Sequence, residues 1–201
     1  MTQNYIFDFG NVLGRFSPED MTVACVPEPD TARIVCQVAF DRLYWDRLDA
    51  GTMTDDEVRQ AFRCRLSGEL YDLACLVYDR WIELLPPIAG MQELAADIKR
   101  SGGKLFLLSN ISIGFAQGYY RNPWIKALFD IFDGLVFSST IGHVKPDPVI
   151  FRHLLDRYNL EPEECIFIDD RADNIAGGEA MGIKGYLFDG DAQKLRRTLS
   201  I

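Results

Sequence analysis

Tyr5-Ile6-Phe7-Asp8-Phe9-Gly10-Asn11-Val12-Leu13 is an apolar run interrupted by one carboxylate, with a glycine and an asparagine following at once. The apolar residues read as a buried β-strand, and Gly10 and Asn11 tolerate the left-handed backbone of a tight turn. Asp8 therefore stands where a strand ends. Alone, such a residue is a turn former or a helix cap, so its meaning rests on what the later strands end in.

Three later strands also end in polar groups. Lys104 to Leu108 runs into Ser109-Asn110, and Gly134 to Ser138 precedes a loop holding His143-Val144-Lys145-Pro146-Asp147-Pro148. Cys165 to Ile168 runs into Asp169-Asp170-Arg171-Ala172-Asp173-Asn174. A fifth strand is expected from Gly185 to Phe188. Helical patterns lie between them, as at Met91, Leu94, Ala95 and Ile98 and at Phe151, Leu154, Leu155 and Tyr158. This alternation implies an α/β fold, a Rossmann-like and mainly parallel sheet covered by helices on both faces.

Between the first strand and this series lies a block of different character. Residues 18–85 show helical periodicity and no convincing strand. Thr54-Asp55-Asp56-Glu57 is a capping-box start, and Leu70, Leu73, Ala74, Val77, Trp81 and Leu84 line one helix face up to Pro86-Pro87. Ile34, Val35 and Val38 suggest a helix running on towards Leu43. The division expected is a core of residues 1–17 and 86–201 with an inserted helical subdomain of residues 18–85.

Ligands of open α/β sheets bind beyond the carboxyl ends of the strands, and right-handed crossovers bring those ends to one edge. Asp8, Ser109, Lys145 and the Asp169-Asp170 pair then form one site. Carboxylates facing one another require a cation between them, and an all-oxygen site that retains waters suits magnesium. Lys145 can contact both Asp8 and a phosphate oxygen, while Ser109 and nearby backbone amides can hold others. The set suits phosphoryl transfer. Taken singly, each member has an ordinary structural reading: a solvated lysine, a turn serine, an acidic helix start.

Composition narrows the classes. A chain of 201 residues accommodates one sizeable core with a small insert. Its net charge of -9 argues against a nucleic-acid partner, which needs a basic face. No apolar run reaches the length of a membrane span, and the start lacks a signal-peptide pattern. Cys25, Cys36, Cys64, Cys75 and Cys165 contain no C-x-x-C pair and read as buried or semi-buried thiols of a reducing compartment. A cytoplasmic location is expected. Oligomeric state is left open, and the Trp81 face is expected to be core.

The ordered set F-D-F-G-N-V-L, L-L-S-N, the lysine of G-H-V-K-P-D-P, and I-F-I-D-D-R-A-D-N-I resembles the haloacid dehalogenase superfamily, in its phosphatase-like branch with an inserted helical cap. The resemblance implies Asp8 as nucleophile and Ser109 and Asn110 as phosphate binders. It makes Lys145 the charge stabiliser and Asp170 a magnesium ligand, with Asp169 direct or through water. The Gly10 carbonyl joins the metal set, and Asp173 and Asn174 support it. The expected substrate is a small phosphorylated metabolite, cleaved through an aspartyl-phosphate. In the cap, Trp45, Arg47 and Asp49, on an expected loop from Tyr44 to Thr52, and Arg15 near the entrance are candidate substrate contacts.

A signalling receiver domain also combines strand-end carboxylates, a hydroxyl and a lysine, but its acidic pair follows the first strand rather than the last. The chain departs from most phosphatases it resembles at Gly10, where they carry a second Asp as general acid and base. Such a group contributes about 10²- to 10⁴-fold. Its loss points to substrates with good leaving groups, such as anomeric sugar phosphates or acyl phosphates. Two alternatives follow from the same motif: a catalytically weak or silent binding or regulatory protein, and a metal-independent 2-haloacid dehalogenase. The acidic pair Asp169-Asp170 argues against the dehalogenase.

Overall fold

The computed structural model of the protein describes residues 3–201. Its centre is a five-stranded parallel sheet of β1 (Asn4–Phe7), β2 (Lys104–Ser109), β3 (Gly134–Phe137), β4 (Cys165–Asp169) and β5 (Lys184–Leu187). The strand order is β3-β2-β1-β4-β5, which places β1 in the middle. Strand residues alternate between two apolar clusters. Tyr5, Phe7, Leu105 and Leu107 face one, while Ile6, Phe106, Leu108 and Phe167 face the other. The first is covered by α6 (Met91–Arg100), α7 (Ile113–Gly118), α8 (Pro123–Phe129) and α11 (Ala192–Leu199), and the second by α9 (Pro148–Tyr158) and α10 (Ala172–Glu179).

Five helices lie between β1 and α6: α1 (Pro18–Cys25), α2 (Pro29–Ala39), α3 (Arg42–Asp49), α4 (Asp55–Arg63) and α5 (Glu69–Leu84). The capping box at α4 forms as its sequence dictates, with Glu57 N donating to Thr54 Oγ1 at 3.2 Å and Thr54 N to Glu57 Oε2 at 2.8 Å. Two expectations fail here. The helix through Ile34, Val35 and Val38 does not reach Leu43, because Asp41 adopts extended backbone and caps a new helix, accepting from Leu43 N at 2.9 Å. The expected loop from Tyr44 to Thr52 is then helical as far as Asp49, since Tyr44, Trp45 and Leu48 share one buried face.

All five cysteines are free, and Cys64 is exposed rather than semi-buried. Among the described residues, no helix is long and apolar enough to cross a membrane.

Candidate active site

Strand register assembles the site. Phe7 pairs with Ile168 of β4, and Asp8 N continues the ladder by donating to Ile168 O at 2.9 Å. Asp8 and Asp169 are thereby neighbours at the carboxyl edge of the two central strands. Asn110, just past β2, clamps the distant loop: its Oδ1 accepts from Lys145 N at 2.7 Å and its Nδ2 donates to Lys145 O at 3.0 Å. That clamp directs Lys145 Nζ to 2.9 Å from Asp8 Oδ1 and 2.7 Å from Asp169 Oδ2.

The cluster is buried, with 1% of the Lys145 side chain exposed. Burial opposes the lysine charge, but Asp8 and Asp169 outweigh it and hold the ammonium pKa above its ordinary value. Asp8 moves upward too, to about 6, because its desolvation and the Asp169 charge exceed what Lys145 and Ser109 return. The Lys145 contact with Asp8 Oδ1 is close but lacks hydrogen-bond direction, and that oxygen has no hydrogen-bond partner. Asp169, by contrast, is saturated. Asn174 Nδ2 donates to both its oxygens at 3.0 and 3.1 Å, and Arg171 N donates to Oδ1 at 2.9 Å.

Asp170 is half-buried, its pKa raised by burial and by the Asp169 charge, and Asn11 Nδ2 approaches it at 3.5 Å. Oxygens of Asp8, Asp169 and Asp170 lie within 4.8 Å of one another. A hard divalent cation fits this donor set: it is all oxygen, it contains an orphaned buried carboxylate oxygen, and it concentrates negative charge. Asp8 and Asp170 have the free lone pairs, whereas Asp169 reaches a cation only at the expense of existing bonds.

Above this floor opens a cavity of about 410 Å³. Asp8, Gly10, Ser109, Asn110, Lys145, Asp170 and Asn174 form its polar side, and Trp45 and Asp49 line it from α3. Four other residues singled out in the sequence lie outside the lining. Arg15 pairs with Asp20 at the surface at 2.6 Å, Arg47 turns to Thr52 O at 3.3 Å, Asp173 pairs with Arg171 at 2.6 Å, and Asp169 lies beneath the floor. The Asn110 amide is spent on the Lys145 backbone. The wall also holds residues that sequence reasoning missed: Phe16, Phe40 and Arg42, with Trp81 both core and wall. Phe40 stacks on Trp45 and Trp81 meets it edge to face, at ring separations of 5.4 and 5.1 Å. A tight aromatic cluster between helices has no periodic signature, although Phe16 does follow the β1 turn closely.

A model of haloacid dehalogenase-like hydrolases matches residues 4–182. The chain is 24% identical over 180 residues to the sesquiterpene phosphatase astK of Aspergillus oryzae, covering 90% of this chain and 86% of that one. It is 26% identical over 204 residues to the D-ribitol-5-phosphate phosphatase of Bacteroides thetaiotaomicron, covering 92% and 91%. Among solved structures it superposes on a dehalogenase with a TM-score of 0.74 at 17% identity, covering 100% of this chain and 98% of that one. It also superposes on a haloacid dehalogenase family enzyme of Bacteroides thetaiotaomicron bound to magnesium and inorganic phosphate, with a TM-score of 0.70 at 20% identity, covering 97% and 99%. By a match that runs through β1 to β4 and every residue of the polar cluster, the chain belongs to the haloacid dehalogenase-like hydrolases.

Proposed function

We propose that the protein is a magnesium-dependent phosphatase of small phosphorylated metabolites that works through an aspartyl-phosphate. The carrying observation is the buried Asp8, whose Oδ1 is unbonded and held 2.9 Å from the Lys145 ammonium at the base of the cavity. A carboxylate so placed is free to attack phosphorus, and Lys145 offsets the charge that develops on the phosphoryl oxygens. Ser109 and the backbone around Gly10 and Asn110 hold the remaining oxygens. Asp8, the Gly10 carbonyl and Asp170 would hold magnesium, with Asp169 and Asn174 behind them and Asp173 further out. The ion's contribution is to neutralise charge between phosphate and carboxylates.

Residues 18–85 act as a cap over the core of residues 1–17 and 86–201. The cap turns the aromatic wall of Phe40, Trp45 and Trp81 towards the leaving group, excluding water from it. Such faces suit a sugar ring or an apolar chain. Two relatives named as phosphatases and matched nearly end to end support the reading. The test is phosphate release, with and without magnesium, from sugar 1- and 6-phosphates, nucleotides, an acyl phosphate and a prenyl phosphate, with halide release from 2-haloacids in parallel. Magnesium-dependent release lost in Asp8→Asn supports the assignment. Release that survives Asp8→Asn, halide release without metal, or no turnover by folded protein overturns it.

A further inference from the structure

Among the described residues, three carboxylates line the cavity: Asp8, Asp170 and Asp49. The proposed function occupies Asp8 as nucleophile and Asp170 as metal ligand, which leaves one unused. Asp49 is the last residue of α3, and its backbone is tied to the sheet edge. Ser138 Oγ, just past β3, donates to Asp49 O at 2.6 Å. Two residues on, Gly51 takes φ +68° and passes so close to the Ser139 carbonyl that a Cβ there would lie 2.3 Å from its oxygen. The carboxylate itself has no hydrogen bond or ion pair among the described residues, and the nearby Arg42 pairs with Asp46 at 2.7 Å.

We infer that Asp49 supplies, from the insert, the general acid and base that Gly10 cannot supply from the core. This role rests on the phosphatase reading. In the first half-reaction Asp8 Oδ bonds to phosphorus, the bond from phosphorus to the leaving oxygen breaks with its electron pair on oxygen, and that oxygen takes the Asp49 proton to depart as an alcohol. In the second, water attacks the aspartyl-phosphate and gives a proton to the Asp49 carboxylate, and the phosphorus bond to Asp8 breaks with its electrons returning to the carboxylate. Phosphate leaves and Asp49 is again protonated. Preference for good leaving groups then no longer follows from Gly10 alone.

The protonation state agrees. Burial lifts the Asp49 pKa to about 7, where a carboxyl both gives and takes a proton at neutral pH. Arg42 and Lys145 pull it down, while Asp46 and Asp8 push it up, and Asp170 and Arg171 line the same cavity.

The experiment uses the magnesium-loaded enzyme and compares an alkyl phosphate with p-nitrophenyl phosphate, whose leaving group needs no proton. Asp49→Asn is expected to lower kcat/KM for the alkyl phosphate by about 10²- to 10⁴-fold and to remove the alkaline limb of its pH profile. The nitrophenolate burst persists, and acid quenching traps more phosphoryl-enzyme because water attack has lost its base. The burst also shows that the variant is folded. Gly10→Asp in that background, where a Cβ meets nothing within 4 Å, is expected to restore alkyl phosphate turnover. Unchanged alkyl phosphate kcat/KM in Asp49→Asn, an equal loss of kcat/KM on both substrates, or a change confined to KM overturns the role. Wild-type enzyme with no Asp8-dependent phosphate release overturns instead the phosphatase reading beneath it.

Discussion

A lysine side chain that is 1% exposed keeps its charge only while carboxylates face it, so Lys145 makes Asp169 a stability residue as well as a site residue. Removing one partner of a buried pair typically costs about 3–5 kcal/mol. Asp169→Ala is therefore expected to lose that much in urea unfolding, with Asp169→Asn milder because Asn174 and Arg171 N keep an oxygen acceptor. Asp49 behaves oppositely. Its folded pKa is raised from 3.8 to about 7, so the folded chain holds the proton more tightly and this stabilising contribution is lost as pH rises through about 7. Metal-free Asp49→Asn should accordingly melt higher than wild type at pH 8, by roughly 2–4 °C for each kcal/mol recovered. The difference should vanish near pH 4, and calorimetry at the two pH values checks it.

Among elements, α3 is tied to the sheet edge by two contacts at its end, the Ser138 hydroxyl on Asp49 O and the Gly51 turn against Ser139. Gly51→Ala meets the Ser139 carbonyl and forces a residue with Cβ into the left-handed region. It should destabilise by more than about 1 kcal/mol and lower kcat/KM further by moving Trp45 and Asp49 off the cavity, with circular dichroism still showing a folded chain. This element was also the least legible from sequence. The apolar spacing of Ile34, Val35 and Val38 carries on to Leu43, yet Leu43 is 71% exposed. The break is set by the Asp41 side chain on a backbone N–H, a single capping contact that periodicity does not register. The strands β1 to β4 fared better because each is an apolar run with a polar stop, and those stops gather along one edge of the sheet.

Across the whole molecule, the larger apolar cluster joins Phe7 and Leu107 of the sheet to Val35, Trp45, Phe62 and Trp81 of the inserted helices. A shared core couples the two parts, so the insert is expected to unfold with the sheet in one transition. Far-UV circular dichroism and native-state hydrogen exchange in denaturant should give coincident midpoints for both. Composition and strand ends disclosed the sheet and the polar floor. The cavity wall was less accessible, because Phe16, Phe40 and Trp81 converge from three separate segments and meet only through packing. Two of the three tryptophans stand in that wall, while Trp124 lies outside the lining with its indole N–H on Leu85 O at 2.7 Å. The chain thus carries its own optical probe: an unlabelled molecule settling against Trp45 and Trp81 changes their emission over the steady background of Trp124. Ligands that bind without being turned over become measurable by titrating the native protein and watching its fluorescence.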